Sequence, residues 1–456
     1  MRRVLGCLVA FVALAAALSS DAEPLRSMLG PIAPQLADGV SVIHAGTVLA
    51  VPGTDPVSNQ TIVVRNGRIA ELRAGFVSPG EIGAPDAKLI DLKDKFVFPG
   101  MIDAHIHLEA LVTGRAAPAE GMLGGFANSD SDIAIASVNN ARIVVENGFT
   151  TVRDAGSLTE TVGDALKRAV KAGLIVAPRL IQAGQPLGPT GVQGDPRNWR
   201  PEIIALLRAE FADNICDGVE GCRKAVRRVV NSGADVIKIK ASGGVNVMLP
   251  GYPDANFTDD ELKSIVDTAH GLKRKVMAHA ISGRSVIAAL KAGVDSIEHG
   301  TVIDEEAVRL FRKTGAYFVP TMSAPHEWAN ASANRGVNKD VAQGVYRRQV
   351  ESLRLAYQGG VKIALGTDCA FSPFEEQAEE LILMVDAGMT TKDVLRAATV
   401  AGADLLGLSA DIGTLEPGKI ADLVAVRGNP LKDMQDVKQI ALVMQGGVVR
   451  KAAHGT

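Results

Sequence analysis

At 456 residues the chain is too long for one small domain and accommodates a barrel of roughly 250 residues with insertions plus a modest second domain. Hydrophobic residues make up 47% and charged residues 22%, which excludes both a disordered chain and a polytopic membrane protein. A formal charge of -3 leaves no basic excess for neutralising phosphates, so nucleic acid is not expected as a partner and small-molecule chemistry is favoured.

The first 22 residues read as a signal peptide: Arg2 and Arg3, an apolar run from Val4 to Leu18, then small residues before Ala22 and Glu23. The run is shorter than the roughly 20 residues that span a bilayer, so export to the periplasm or medium is expected, with no membrane span in the mature form. Val4-Leu5-Gly6-Cys7 resembles a lipoprotein box only superficially, because its apolar stretch follows Cys7.

From Val40 to Leu92 the pattern is short β: Ser41–Ala45, Thr61–Val64 and Arg68–Leu72, with Asn66-Gly67 as a hairpin turn. The same language returns after Gly413, in Ala421–Val426, Ile440–Met444 and Val448–Arg450. The expected organisation is a small β-sandwich domain built from both chain ends, residues 23–95 and 408–456, with a (β/α)8 TIM barrel over residues 96–407 inserted between them. Eight strands are assigned to the barrel: Phe96–Ile106, Thr150–Arg153, Arg179–Gln182, Val236–Lys240, Lys275–Ala278, Ser296–Glu298, Tyr317–Pro320 and Lys362–Leu365. Helices fill the gaps, for example Glu261–Leu272 after Thr258 and Lys392–Leu406 after Thr390-Thr391. Cys216 and Cys222 flank a short loop-to-helix stretch; an exported chain can pair them, and two unpaired thiols are the alternative.

Asp103-Ala104-His105-Ile106-His107 ends the first barrel strand, and a period of two puts both imidazoles on one face. Such a pair alone is weak evidence. Single histidines also close the fifth and sixth strands, at His279 and His299, and Asp368 follows the eighth in Gly366-Thr367-Asp368. The C-terminal ends of barrel strands converge on one crevice, so five side chains distant in sequence become candidate metal ligands. Imidazoles with a carboxylate suit zinc or another first-row divalent ion, whereas calcium demands oxygen. Lys238 lies in the apolar stretch Val236-Ile237-Lys238-Ile239-Lys240, where an unpaired ammonium is costly. A salt bridge or capture of carbon dioxide as a carbamate would each resolve that cost. Lys240 leaves the same face, and spacing does not choose between the two lysines.

These residues resemble the amidohydrolase superfamily from about Val40 to Arg450, on Phe98-Pro99-Gly100-Met101-Ile102-Asp103-Ala104-His105-Ile106-His107 and Gly366-Thr367-Asp368. Gly148-Phe149-Thr150-Thr151-Val152-Arg153-Asp154 and the segment from Ile237-Lys238 to Ser242-Gly243-Gly244 look like its imidazolonepropionase-like and prolidase-like branch, which includes metallo-carboxypeptidases. The resemblance implies two divalent ions, zinc by preference. It assigns His105, His107 and Asp368 to one, His279 and His299 to the other, and a carbon-dioxide-derived carbamate on Lys238 between them. Asp368 would be the catalytic general base for a metal-bridging hydroxide that attacks an amide, in an Xaa-Pro-like dipeptide or an N-acyl amino acid.

Departures from the family concern the substrate side. Gln193 stands in a loop where relatives often carry a histidine, Ser372–Glu376 replaces a common His-Gly pair, and Lys240 replaces an uncharged residue. Lys240, Gln193 and His326 are the candidate substrate contacts. Lactone or other ester hydrolysis at the same site is the competing activity, whereas Ser282, at the position where the deaminase branch carries a glutamate, argues against deamination. The expected partner is a small-molecule amide, with self-association into a homo-oligomer left open.

Overall fold

The computed structural model describes residues 36–110, 128–156, 160–192, 195, 214–245, 254–331, 339–370 and 372–453. The segment read as a signal peptide and Gln193 lie outside the described residues. The N-terminal strands are β1 (Val40–Val48), β2 (Val57–Arg65), β3 (Arg68–Ala74) and β4 (Lys88–Pro99); the C-terminal ones are β13 (Leu423–Val426), β14 (Ile440–Gln445) and β15 (Val448–Ala452). All seven join one hydrogen-bonded sheet in the order β15-β14-β13-β4-β1-β2-β3, so the two chain ends meet where β13 pairs antiparallel with β4. Side chains from both chain ends share one buried cluster, in which Ile43, Ile62 and Ile90 meet Leu423, Leu442 and Met444. The β2–β3 turn uses Asn66 and Gly67, both at positive φ (48° and 72°), as a tight hairpin requires.

Between the ends lie β5 (Met101–Ile106), β6 (Phe149–Asp154), β7 (Arg179–Gln182), β8 (Val236–Lys240), β9 (Lys275–Ala280), β10 (Ser296–His299), β11 (Tyr317–Val319) and β12 (Lys362–Ile363). They form two parallel arcs, β5-β6-β7 and β8-β9-β10-β11-β12, alternating with helices in a TIM-barrel-like α/β arrangement. Continuous strand pairing does not close the ring. Scattered backbone hydrogen bonds bridge the two gaps, among them Ala104 N to Leu365 O (2.9 Å) and His107 N to Cys369 O (2.7 Å) on one side, Asp235 N to Gln182 O (2.7 Å) and Leu187 N to Lys238 O (2.8 Å) on the other. The eighth strand, expected over Lys362–Leu365, is cut to two residues. Beyond it Gly366 packs so tightly on β5 and β11 that a Cβ there would come 2.8 Å from His105 Cβ and 2.4 Å from Val319 Cγ1, and the backbone turns at Asp368 (φ 57°). The expected first strand, Phe96–Ile106, is really two, parted at Gly100: β4 serves the end sheet and β5 the arc.

Helix starts follow local chemistry. Ser129 with Asp132 and Thr258 with Glu261 form capping boxes ahead of helices Asp130–Glu146 and Asp259–Gly271, which satisfy backbone N–H groups that the first turn leaves open. The helix expected over Lys392–Leu406 is interrupted by a π turn at Ala397–Ala401, between Thr391–Arg396 and Gly402–Leu406. The main core lies between arcs and helices, where Val144, Ile237, Val276, Ile297, Leu353 and Leu365 are fully buried. Each such side chain contributes about 1.5–3 kcal/mol relative to exposure, which holds the strand ends still. Ile181, Ala183, Val236 and Met277 form a separate apolar floor inside the arcs. Cys216 and Cys222 are disulfide-bonded.

Candidate active site

The C-terminal ends of β5, β8, β9 and β10 and the loop after β12 bring the predicted ligands together. His105 Nε2 lies 3.4 Å from Asp368 Oδ1, and His107 Nε2 lies 3.3 Å from the same oxygen. Potential ligand atoms of His105, His107 and Asp368 all fall within 4.8 Å of one another. The His299 ring is 4.9 Å from that of His105 and 4.6 Å from that of His279, so four imidazoles form one cluster. Lys238 Nζ reaches His105 Nε2 at 3.2 Å and is 4% exposed.

Each ring is held by its other nitrogen or by a close oxygen. His105 Nδ1 meets Glu298 Oε2 at 2.7 Å, His107 Nδ1 meets the carbonyl of Gly156 at 3.1 Å, and His299 Nδ1 meets Thr321 Oγ1 at 2.8 Å. His279 Nε2 meets the carbonyl of Gly243 at 3.0 Å. Such outer partners fix tautomer and ring orientation in metal sites. Glu298 is itself clamped: Arg153 donates to Glu298 Oε1 at 2.9 Å and to Ala104 O at 2.6 Å, with all three residues out of solvent. Below them Asp103 Oδ1 accepts from His105 N (3.0 Å) and Thr367 N (3.1 Å), and its Oδ2 from Thr367 Oγ1 (2.6 Å) and Gln377 Nε2 (2.7 Å). That carboxylate sets the spacing between the His105 strand and the Asp368 turn.

Backbone strain gathers here. His299 (φ 70°), Thr321 (φ 49°) and Asp368 (φ 57°) all adopt left-handed conformations that side chains with a Cβ rarely take, His299 at the end of β10 and the other two beyond β11 and β12. Electrostatics favour uncharged imidazoles. Burial first, then the Lys238 charge, holds His105 well below the usual histidine range and brings His279 down to about 3; burial and the neighbouring His279 do the same to His299. Burial works against His107 too, but the adjacent Asp368 carboxylate raises it. Burial lowers Lys238 to about 8, with Glu298 and Asp368 opposing, so its neutral amine is accessible near physiological pH.

The donor set fits a divalent cation. Asp368 Oδ1 is buried yet among the described residues has no hydrogen bond of good geometry, although two imidazole nitrogens face it. A carboxylate oxygen left in that state is costly unless something positive meets it. His105, His107 and Asp368 are thus a possible metal site.

Candidate substrate contacts behave differently. Lys240 sits beside His279 in the β8–β9 register, one step nearer the loops than Lys238; burial lowers it to about 8, and Asp195 opposes the shift. His326 Nε2 lies 3.0 Å from Asn330 Nδ2 and its ring is tilted against that of Tyr346 at 5.2 Å, and among the described residues no hydrogen bond joins it to the histidine cluster. Ser282 caps the helix Gly283–Ala292 and donates to Asp254 O, which accounts for it without a role in proton transfer. Sequence reasoning missed Glu298 and Arg153. Their only signal is an ionisable group in a strand where an apolar one is usual, with Glu298 directly before His299.

Residues 96–450 match the amidohydrolase family. The chain belongs to that family. The amidohydrolase is 31% identical to an ochratoxinase from Aspergillus niger over 443 residues, covering 90% of this chain and 87% of the relative. A crystal structure of a Xaa-Pro dipeptidase with bound methionine superposes with TM-score 0.81 at 31% identity, covering 90% of this chain and 99% of that one. A prolidase complexed with N-methylphosphonate-L-proline gives TM-score 0.78 at 32% identity, covering 91% and 100%. The amidohydrolase is therefore a hydrolase acting on carbon–nitrogen bonds.

Proposed function

We propose that this amidohydrolase cleaves the amide bond of an Xaa-Pro-like dipeptide or an N-acyl amino acid at a centre of two divalent cations, zinc by preference. The observation that carries this reading is the meeting of His105, His107 and Asp368 within 4.8 Å beside a buried Lys238. His105, His107 and Asp368 would hold one cation, His279 and His299 the other. Lys238 would join them after its neutral amine adds to carbon dioxide and releases a proton, which converts a costly buried ammonium into a carboxylate-like bridge. When bound, the cations would lower the pKa of water and polarise the substrate carbonyl. Asp368, with Oδ1 free of other hydrogen bonds, takes the proton of the attacking water and passes it to the leaving amine. Kinship to an ochratoxinase and to prolidase-like structures supports an amide as the scissile group.

Purified protein should carry about two divalent ions per chain, and a panel of dipeptides, N-acyl amino acids and lactones should show turnover of amides. Protein without metal after gentle purification, or turnover of lactones alone, would sink the proposal. We further infer export, supported by the N-terminal pattern and by a disulfide of the kind that persists in oxidising compartments.

A further inference from the structure

We propose that Gln185 is a substrate-binding residue whose carboxamide hydrogen-bonds an acyl or carboxylate group next to the scissile bond. The inference rests on the hydrolytic reading above and adds a specificity contact to it. Gln185 is 2% exposed, yet among the described residues neither its Oε1 nor its Nε2 has a hydrogen-bond partner. Burying an amide without partners is unfavourable, so a fold that keeps one there has another use for it.

Its neighbours fix where it lies. The segment Ala183-Gly184-Gln185-Pro186-Leu187 leaves β7 at the same end as the histidine cluster. Ala183 joins the apolar floor inside the arcs, whereas Gly184 faces outward, since a Cβ there would meet Val229 Cγ1 at 3.4 Å and Ala234 Cβ at 3.5 Å. Pro186 lies against Gly156, where an added Cβ would come 2.5 Å from Pro186 Cγ, and the Gly156 carbonyl is the partner of His107. Leu187 donates to Lys238 O (2.8 Å) and accepts from Lys240 N (2.9 Å). Gln185 therefore sits between the support of His107 and the strand of Lys238, on the rim of the candidate metal site. A carboxamide offers two donors and one acceptor without charge, which matches a substrate with a carbonyl or carboxylate beside an N–H.

Gln185→Met keeps the length and removes the hydrogen bonds. The expected result has opposite signs: kcat/KM falls about tenfold, chiefly through KM, while melting temperature and bound metal stay equal or rise. A residue with a packing role would lower stability and activity together. Unchanged kcat/KM, or a variant that is less stable, insoluble or metal-poor, would overturn the proposal. If the wild type hydrolyses lactones and no amides, the amide reading alone fails, and the same comparison on the lactone decides for Gln185. A wild type inert towards both classes would overturn both.

Discussion

Depth along one strand separates two lysines that look equivalent in sequence. Lys238 Nζ touches His105, whereas Lys240 is level with His279 and shares its surroundings with Asp195. Lys238→Ala should lose bound metal and most activity, with partial rescue by a short carboxylic acid, and Lys240→Ala should keep its metal. If Lys240 holds a substrate carboxylate, its loss should cost anionic substrates about 1–3 kcal/mol in kcat/KM and leave neutral ones alone. Metal loss from Lys240→Ala with retention by Lys238→Ala would reverse the two roles. Glu298 makes a second case. With its carboxylate gone, His105 has no acceptor for Nδ1–H and Arg153 no counter-charge, so Glu298→Ala should weaken metal affinity or activity about 10- to 100-fold; titrating metal into apo-protein measures it. The clustering of His105, His107, His279, His299 and Asp368 was legible because imidazoles and a carboxylate at strand ends are chemically conspicuous. Glu298, Arg153 and Gln185 were not, because their meaning depends on what surrounds them, and a strand's own spacing carries no information about partners on other strands.

At the scale of elements, patterning located every strand of the two arcs and misjudged where some of them end. Apolar runs report burial, and burial continues through Gly100 and past Ile363, so one run hid two strands at β4 and β5 and another overstated β12. The replacement of strand pairing by scattered hydrogen bonds at both gaps is equally invisible to periodicity. One inter-element tie titrates. Glu380, on the helix Glu379–Asp386, accepts from Met322 N (2.8 Å), Ser323 N (2.7 Å) and Ser323 Oγ (2.7 Å), anchoring the loop that carries Thr321. Burial pushes its carboxyl from an ordinary 4.5 up to about 8. Folded chains thus retain a proton that unfolded chains have released, and the stability this provides is full below about 4.5 and is lost as pH rises through about 8. Denaturant melts of Glu380→Gln across that window should give a flatter pH dependence than wild type; parallel profiles would mean that Glu380 is ionised throughout.

For the whole molecule, the four cysteines report on processing and pairing together. Cys7 lies in the expected leader, Cys216 and Cys222 are bonded, and Cys369 is buried and free. Alkylation in denaturant without reductant should therefore label one thiol on the exported chain and three after reduction. Two labels before reduction would indicate a retained leader, and three a leaderless chain with the pair open. A bridge with a sequence separation of 6 closes so short a loop that its contribution is about 2 kcal/mol, and reduction should loosen the chain without unfolding it. The shared sheet has a longer reach in time. β4 is bordered by β1 on one side and needs β13 on the other, and β13 is among the last segments to be made. At about 5–20 residues per second, the ribosome delivers it roughly a quarter of a minute to a minute after β4 emerges. Throughout that interval β4 presents an unpaired edge, the kind of surface that captures strands from other chains. An exported chain kept extended until translocation ends would receive both ends almost at once, so crossing a membrane before folding would shield the nascent protein from its own slowest pairing.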